Sequence, residues 1–267
     1  MDTPHFVLLS NLSARNRNGV RLMQTHVEGF RDAFEKALPP LEPIRAVSVI
    51  RIPATDAEYD AYVGPDYRWT SGLWMSHRRE LVVRPVLANA GNDAQDRFLR
   101  IVVHEAFHQY LDAALCHTAA SAWFNEGHAA LFGGSSLDRD RVIVCESPEY
   151  AALLEPAARN GRLDVSGLMR ASYEQFYRGS KDELAGHYAL AWGLVYYLQK
   201  SARHDTKSAC RDLLTRYLQE IAAGRDGDAA TAGVLAEVPP ATINQEMNAF
   251  WNSHSRRQKA RGAYLIH

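Results

Sequence analysis

Five consecutive residues, His104-Glu105-Ala106-Phe107-His108, constrain this chain more than any other feature. They lie inside Ala94–Cys116, where Phe98, Ile101, Val102, Ala106, His108 and Leu111 recur at the spacing of an inward helix face. On a helix, residues i and i+4 share a face, so His104 and His108 can offer two imidazoles to one metal ion. Glu105, one residue along from His104, is set to address a metal-activated water instead of the ion. Ile101-Val102-Val103 before the motif, Phe107 within it and Tyr110 and Leu111 after it supply the apolar packing that a buried helix requires.

A catalytic zinc site needs a third protein ligand and an open fourth position. The long pattern HExxHxxGxxH does not supply it, because Leu111 stands at its glycine and Ala114 at its third histidine. Farther on comes Asn125-Glu126-Gly127-His128-Ala129, within a second helical stretch, Trp123–Phe132. Glu126 is the expected ligand that completes a His2Glu set. Asn125 reads either as a helix N-cap or as a residue that orients Glu126. With that set complete, His117 and His128 read as structural or exposed.

HExxH followed by Asn-Glu-Gly resembles the gluzincin zinc metallopeptidases. The resemblance implies an α+β, zincin-like fold: a small strand-containing part over residues 1–92, then a mainly helical part over 93–267, together a single compact catalytic unit. It implies one Zn²⁺ per chain on His104, His108 and Glu126, and peptide-bond hydrolysis by a metal-activated water with Glu105 as general base. Glu126 falls one residue nearer to the first motif than is usual in the aminopeptidase-like branch, which implies a tighter turn between the two helices. His187-Tyr188-Ala189-Leu190-Ala191-Trp192 is similar to the YAxAW helix of an uncharacterised bacterial, gluzincin-like family. There Tyr188 takes the place of a phenol that stabilises an oxyanion, and His187 is the substitute. The resemblance runs from about Phe6 to Leu218. The GxMEN exopeptidase element is missing, so aminopeptidase specificity is not implied. The expected partner is a peptide or protein substrate, seated by β-addition along an edge strand near Glu80–Arg84. The alternative is a zinc-containing but catalytically silent or latent binding protein, its cleft capped by Ser135–Arg162, with Cys145 approaching the metal.

The rest of the chain reads as strands early and helices late. Phe6–Ser10, Ile44–Ile52, Gly72–Met75 and Glu80–Arg84 are the expected strands, and Arg141–Cys145 is a short apolar run. Helices are expected over Val20–Leu38, Thr55–Tyr62, Tyr150–Asn160, Val165–Tyr177, Leu184–Lys200, Ser208–Ala223 and Thr242–Asn252. The stretches Arg68-Trp69 and His77–Arg79 read as solvated turns. A boundary near Arg84–Asp93 and a basic tail, Arg256–Arg261, complete the outline.

Composition narrows the partners. Thirty Lys+Arg against 31 Asp+Glu leave a formal charge of −1, which offers no electrostatic reason to bind nucleic acid. No apolar run reaches the ~20 residues of a membrane span, and Met1–Ser10 lacks the basic start of a signal peptide. The expected compartment is cytoplasmic for a native N-terminus and extracytoplasmic for a processed one. Three scattered cysteines, Cys116, Cys145 and Cys210, form neither a disulfide framework nor a Cys-based zinc site.

Overall fold

The computed structural model describes residues 3–13, 17–85, 91–139, 141–257 and 263–265. Much of the expected boundary near Arg84–Asp93, and the basic tail beyond residue 257, lie outside them. The chain is a mixed α+β protein that divides into two compact units. One comprises residues 1–116, 135–143 and 265–267; the other comprises 117–134 and 144–264.

The first unit is built on a four-stranded sheet of order β1-β2-β4-β3. Strands β1 (Phe6–Ser10), β2 (Ser48–Ile52) and β4 (Glu80–Val83) run parallel, and β3 (Gly72–Met75) pairs antiparallel with β4. β2 is shorter than the alternation over Ile44–Ile52 implies. Its partner β1 begins with Phe6 opposite Ser48, so the preceding residues have no strand to pair with. β4 is flanked on both sides, by β2 and β3. The edge expected near Glu80–Arg84 is therefore interior, and the open edge on that side is β3.

Three helices accompany this sheet: α1 (Arg17–Ala37), α2 (Asp56–Val63) and α3 (Asn92–Ala114). α1 buries Met23, Val27, Phe30 and Phe34 along one stripe. The Phe34 ring meets Phe107 and Tyr110 of α3 at centroid distances of 5.4 and 5.5 Å. Arg31 lies 4.8 Å above the Tyr110 ring and pairs with Glu35 at 2.6 Å, while the Tyr110 hydroxyl donates to the Leu38 carbonyl. α3 is tied to the sheet by Gln109, whose Nε2 donates to the Val49 carbonyl at 3.2 Å. Thr55 caps α2 by accepting from the Glu58 amide. A short hairpin, β5 (Ser136–Asp138) with β6 (Arg141–Cys145), pairs Leu137 with Val142.

The second unit is helical: α4 (Ala122–Gly133), α5 (Pro148–Arg159), α6 (Val165–Arg170), α7 (Tyr173–Tyr177), α8 (Lys181–Lys200), α9 (Leu213–Ala222), α10 (Gly227–Glu237) and α11 (Pro240–Arg257). α8 runs through its core, with Trp192 against Tyr196 and against Trp251 of α11 at 5.1 and 5.3 Å. Two expectations change here. The helix read over Val165–Tyr177 is two, because Ser172 leaves the helix in extended conformation and starts α7 with a reciprocal capping box to Gln175. α10 occupies a stretch where no helix was expected. No helix among the described residues is long and apolar enough to cross a membrane.

Candidate metal centre

The buried face of α3 carries Val102, Val103, Ala106, Phe107, Tyr110 and Leu111. His104, Glu105 and His108 stand at its half-buried margin, with their potential ligand atoms all within 4.8 Å of one another. The two imidazole rings lie 4.7 Å apart, centroid to centroid, at 85° to each other. Two imidazoles and a carboxylate so gathered could hold a metal ion. Among the described residues, these three form the group of His, Cys, Asp and Glu side chains able to hold such an ion.

Glu105 is further fixed by the sheet. Its Oε2 accepts the backbone N–H of Trp74 on β3 at 2.9 Å. Gly72, two residues earlier on the same strand, permits the approach. A Cβ there would sit 3.0 Å from Cγ of Glu105 and 2.9 Å from Cγ2 of Ile101. The turn that leads from β3 to β4 contains Arg79 at φ 52°, and Arg78 stacks over the Tyr62 ring at 4.6 Å. Trp69 is 76% exposed at the end of the loop before β3.

After α3 come two successive residues in the left-handed region, Cys116 (φ 51°) and His117 (φ 66°). α4 then starts at Ser121. Asn125 lies inside the helix, so it is not the cap, and its Nδ2 donates to the Tyr173 hydroxyl at 2.8 Å. The start of α4 is pinned by a buried polar cluster. The Ser121 amide donates to the Tyr217 hydroxyl at 2.8 Å, and Ser121 Oγ donates to the Gly227 carbonyl at 2.6 Å. Trp123 Nε1 donates to Thr231 Oγ1 at 3.0 Å. Burial pushes the Tyr217 phenol up to about 12, so it remains protonated.

Glu126 is 1% exposed, and its Oε1 accepts the Tyr177 hydroxyl at 2.5 Å. Gly127 beside it marks where α4 crosses α8. A Cβ on Gly127 would lie 2.6 Å from the Ala191 carbonyl oxygen and 2.7 Å from Cγ2 of Val195. The glycine of Asn-Glu-Gly is thus fixed by a backbone approach to the YAxAW helix. His128 is fully buried, with Nδ1 2.8 Å from the Phe124 carbonyl. Burial lowers its pKa to about 4 and keeps it neutral.

Tyr188 and His187 both meet α7. The Tyr188 ring packs edge-on against Phe176 at 5.3 Å and against Tyr177 at 6.5 Å. His187 Nδ1 lies 2.6 Å from the Phe176 carbonyl, which can only accept, so that nitrogen carries the proton. Cys145 is half-buried. The structure therefore brings together His104, Glu105 and His108 on α3. Within the other unit it gathers Glu126, Asn125, Tyr173, Tyr177 and Tyr188. Tyr173 and Tyr177 escaped the sequence reading. Their signal was the i, i+4 spacing of two tyrosines on either side of Gln175, the far end of the Ser172 capping box.

A family profile described as a protein of unknown function (DUF1570) matches residues 99–218, a span that takes in His104, Glu105, His108, Glu126 and Tyr188. No curated protein matches the chain.

Proposed function

We propose that this protein is a zinc-dependent peptide hydrolase of gluzincin type with a zincin-like fold. The observation that carries the reading is the grouping of His104, Glu105 and His108 on one half-buried helix margin. His104 and His108 would hold the ion, with Glu126 as the third ligand on the strength of the sequence resemblance. A bound Zn²⁺ supplies Lewis acidity, lowering the pKa of water and polarising a scissile carbonyl.

The chain's own groups do the rest. Glu105 is the general base: a carboxylate oxygen receives the proton of the attacking water and later passes it to the leaving amine. Trp74 N–H holds that carboxylate toward the sheet edge. An extended peptide would add along β3, an edge strand of the sheet among the described residues, with alternate backbone groups paired to it and the Trp74 N–H taken by Glu105. Tyr188 is the donor assigned to the developing oxyanion, a role worth a few kcal/mol in comparable sites.

The test is incubation of the zinc-loaded protein with a diverse peptide library, read by mass spectrometry beside Glu105→Gln. Cleavage that disappears in the variant supports the hydrolase, and the cut positions separate endo- from exopeptidase action. One zinc per chain with no cleavage of any peptide would instead favour the latent or purely binding protein.

A further inference from the structure

Helix α7 has five residues and divides its labour sharply. Phe176 is fully buried and anchors the helix to α8, through the Tyr188 ring and through its carbonyl on His187. Tyr173 and Tyr177, one turn apart, stack at 6.2 Å and 22°, and each keeps a flank in solvent. Their hydroxyls touch two consecutive residues of α4: Tyr173 with Asn125 at 2.8 Å, Tyr177 with Glu126 Oε1 at 2.5 Å. Packing explains Phe176. It does not explain why Tyr177, 43% exposed and with its ring against Tyr173 and Tyr188, turns its hydroxyl onto a buried carboxylate.

We propose that Tyr177 is a positioning residue for Glu126, its phenol fixing one carboxylate oxygen, while Tyr173 holds the adjacent Asn125. Helix α7 thereby sets how Glu126 is presented to a metal ion. The proposal rests on the reading of Glu126 as a ligand. Two features support it. The bond is short, at 2.5 Å, with the phenol donating to the carboxylate oxygen. And α7 is itself held at both ends, by the capping box from Ser172 at its start and by the Phe176–His187 bond near its finish. Groups that orient a ligating carboxylate in this way typically change metal affinity by about 10–100-fold when removed.

The test measures zinc affinity by chelator competition for the wild type, Glu126→Gln, Tyr177→Phe and Tyr173→Phe. Visible spectra of the Co²⁺-substituted proteins and melting curves of the metal-free proteins accompany it. The expected result for Tyr177→Phe is about 10–100-fold weaker zinc binding. Its cobalt bands should shift while its metal-free melting temperature stays unchanged. Tyr173→Phe should weaken binding less. Wild-type affinity and an unchanged cobalt spectrum in Tyr177→Phe, with binding lost in Glu126→Gln, would overturn the proposal and leave the ligand reading standing. Affinity that falls only together with metal-free stability, with unchanged cobalt bands, overturns it too. Wild-type affinity in Glu126→Gln overturns the ligand reading and the proposal with it.

Discussion

The Trp74 amide and the Glu105 carboxylate are joined at 2.9 Å, which ties the outermost strand of the sheet to the residue that follows His104. In β3 this N–H points away from β4, so it is one of the groups that an added peptide strand would seek. Glu105 therefore occupies the donor that a substrate backbone would claim.

From this bond comes the first prediction. Glu105→Ala leaves the Trp74 N–H without its acceptor, and amide hydrogen exchange at Trp74 should accelerate relative to the wild type. Glu105→Gln retains an acceptor oxygen and should keep exchange nearly unchanged while turnover falls by about 10²–10⁴-fold. Equal peptide cleavage by Glu105→Gln and the wild type would remove Glu105 from the chemistry.

Metal linkage gives the second. A ligand that binds only the folded state at 100 times its Kd adds about 2.7 kcal/mol of stability. Zinc should therefore raise the melting temperature of the wild type, and a chelator should return it to its starting value. His104→Ala and His108→Ala should melt at one temperature with and without zinc. A zinc-dependent rise in either variant would place the ion elsewhere.

The crossing of α4 and α8 is the third. Gly127→Ala puts a methyl carbon 2.6 Å from the Ala191 carbonyl oxygen, a backbone atom that cannot rotate away. The helices must separate, at a cost of about 1–3 kcal/mol or more. Urea unfolding should show a lower midpoint, and a midpoint equal to the wild type's would mean that the crossing yields without strain.

The buried polar cluster at the start of α4 gives the fourth. Thr231→Val removes the acceptor of Trp123 Nε1 and a partner of Ser121 Oγ, which lie 3.0 and 2.7 Å away. Leaving such a donor unsatisfied costs about 1–3 kcal/mol, measurable by chemical denaturation. Thr231→Ser keeps the hydroxyl and should recover part of that loss.

Acid sensitivity is the fifth. Burial by itself would raise the Glu246 carboxyl, but bonds from Ser208, Tyr197, the Ala209 amide and Cys210 outweigh it and hold it below the ordinary range. Tyr197 and Ser208 each reach Glu246 Oε2 at 2.6 Å. The folded state thus prefers the ionised form. Its contribution is complete above the unfolded carboxyl's pKa and is lost as pH falls through the lower, folded one. The melting temperature of the wild type should drop over that acidic window, and Glu246→Gln should flatten the drop. A variant profile parallel to the wild type's would show that other carboxylates govern acid unfolding.

Much of this architecture was legible before any coordinates. The apolar spacing around His104 and His108 defined α3 and the face on which those side chains meet. Short apolar runs located β1, β3 and β4 within a residue or so. The illegible parts depend on partners distant in sequence. Nothing in Glu80–Arg84 announces that β4 is flanked on both sides, because strand order is a property of the whole sheet. α10 went unread because Gly227-Asp228-Ala229-Ala230 and Ala232-Gly233 present small side chains with little amphipathic contrast, although Asp226 caps the helix by accepting from the Ala229 amide. Tyr173 and Tyr177 sit in what sequence alone makes the tail of a longer helix. Only the break at Ser172 frees α7 to turn both hydroxyls onto α4.

The meeting of Gly127 with Ala191 bears on how motifs of this kind should be weighed. Asn-Glu-Gly and YAxAW look like two signatures, yet the glycine of one and the second alanine of the other are two sides of a single steric fit. Their joint appearance therefore testifies once, to a helix pair, and a descendant that had lost all chemistry would keep both for the sake of its packing. On the proposed reading, Glu105 and Tyr177 carry information that this crossing does not, and a screen for zinc-dependent hydrolases among such chains should be keyed to them.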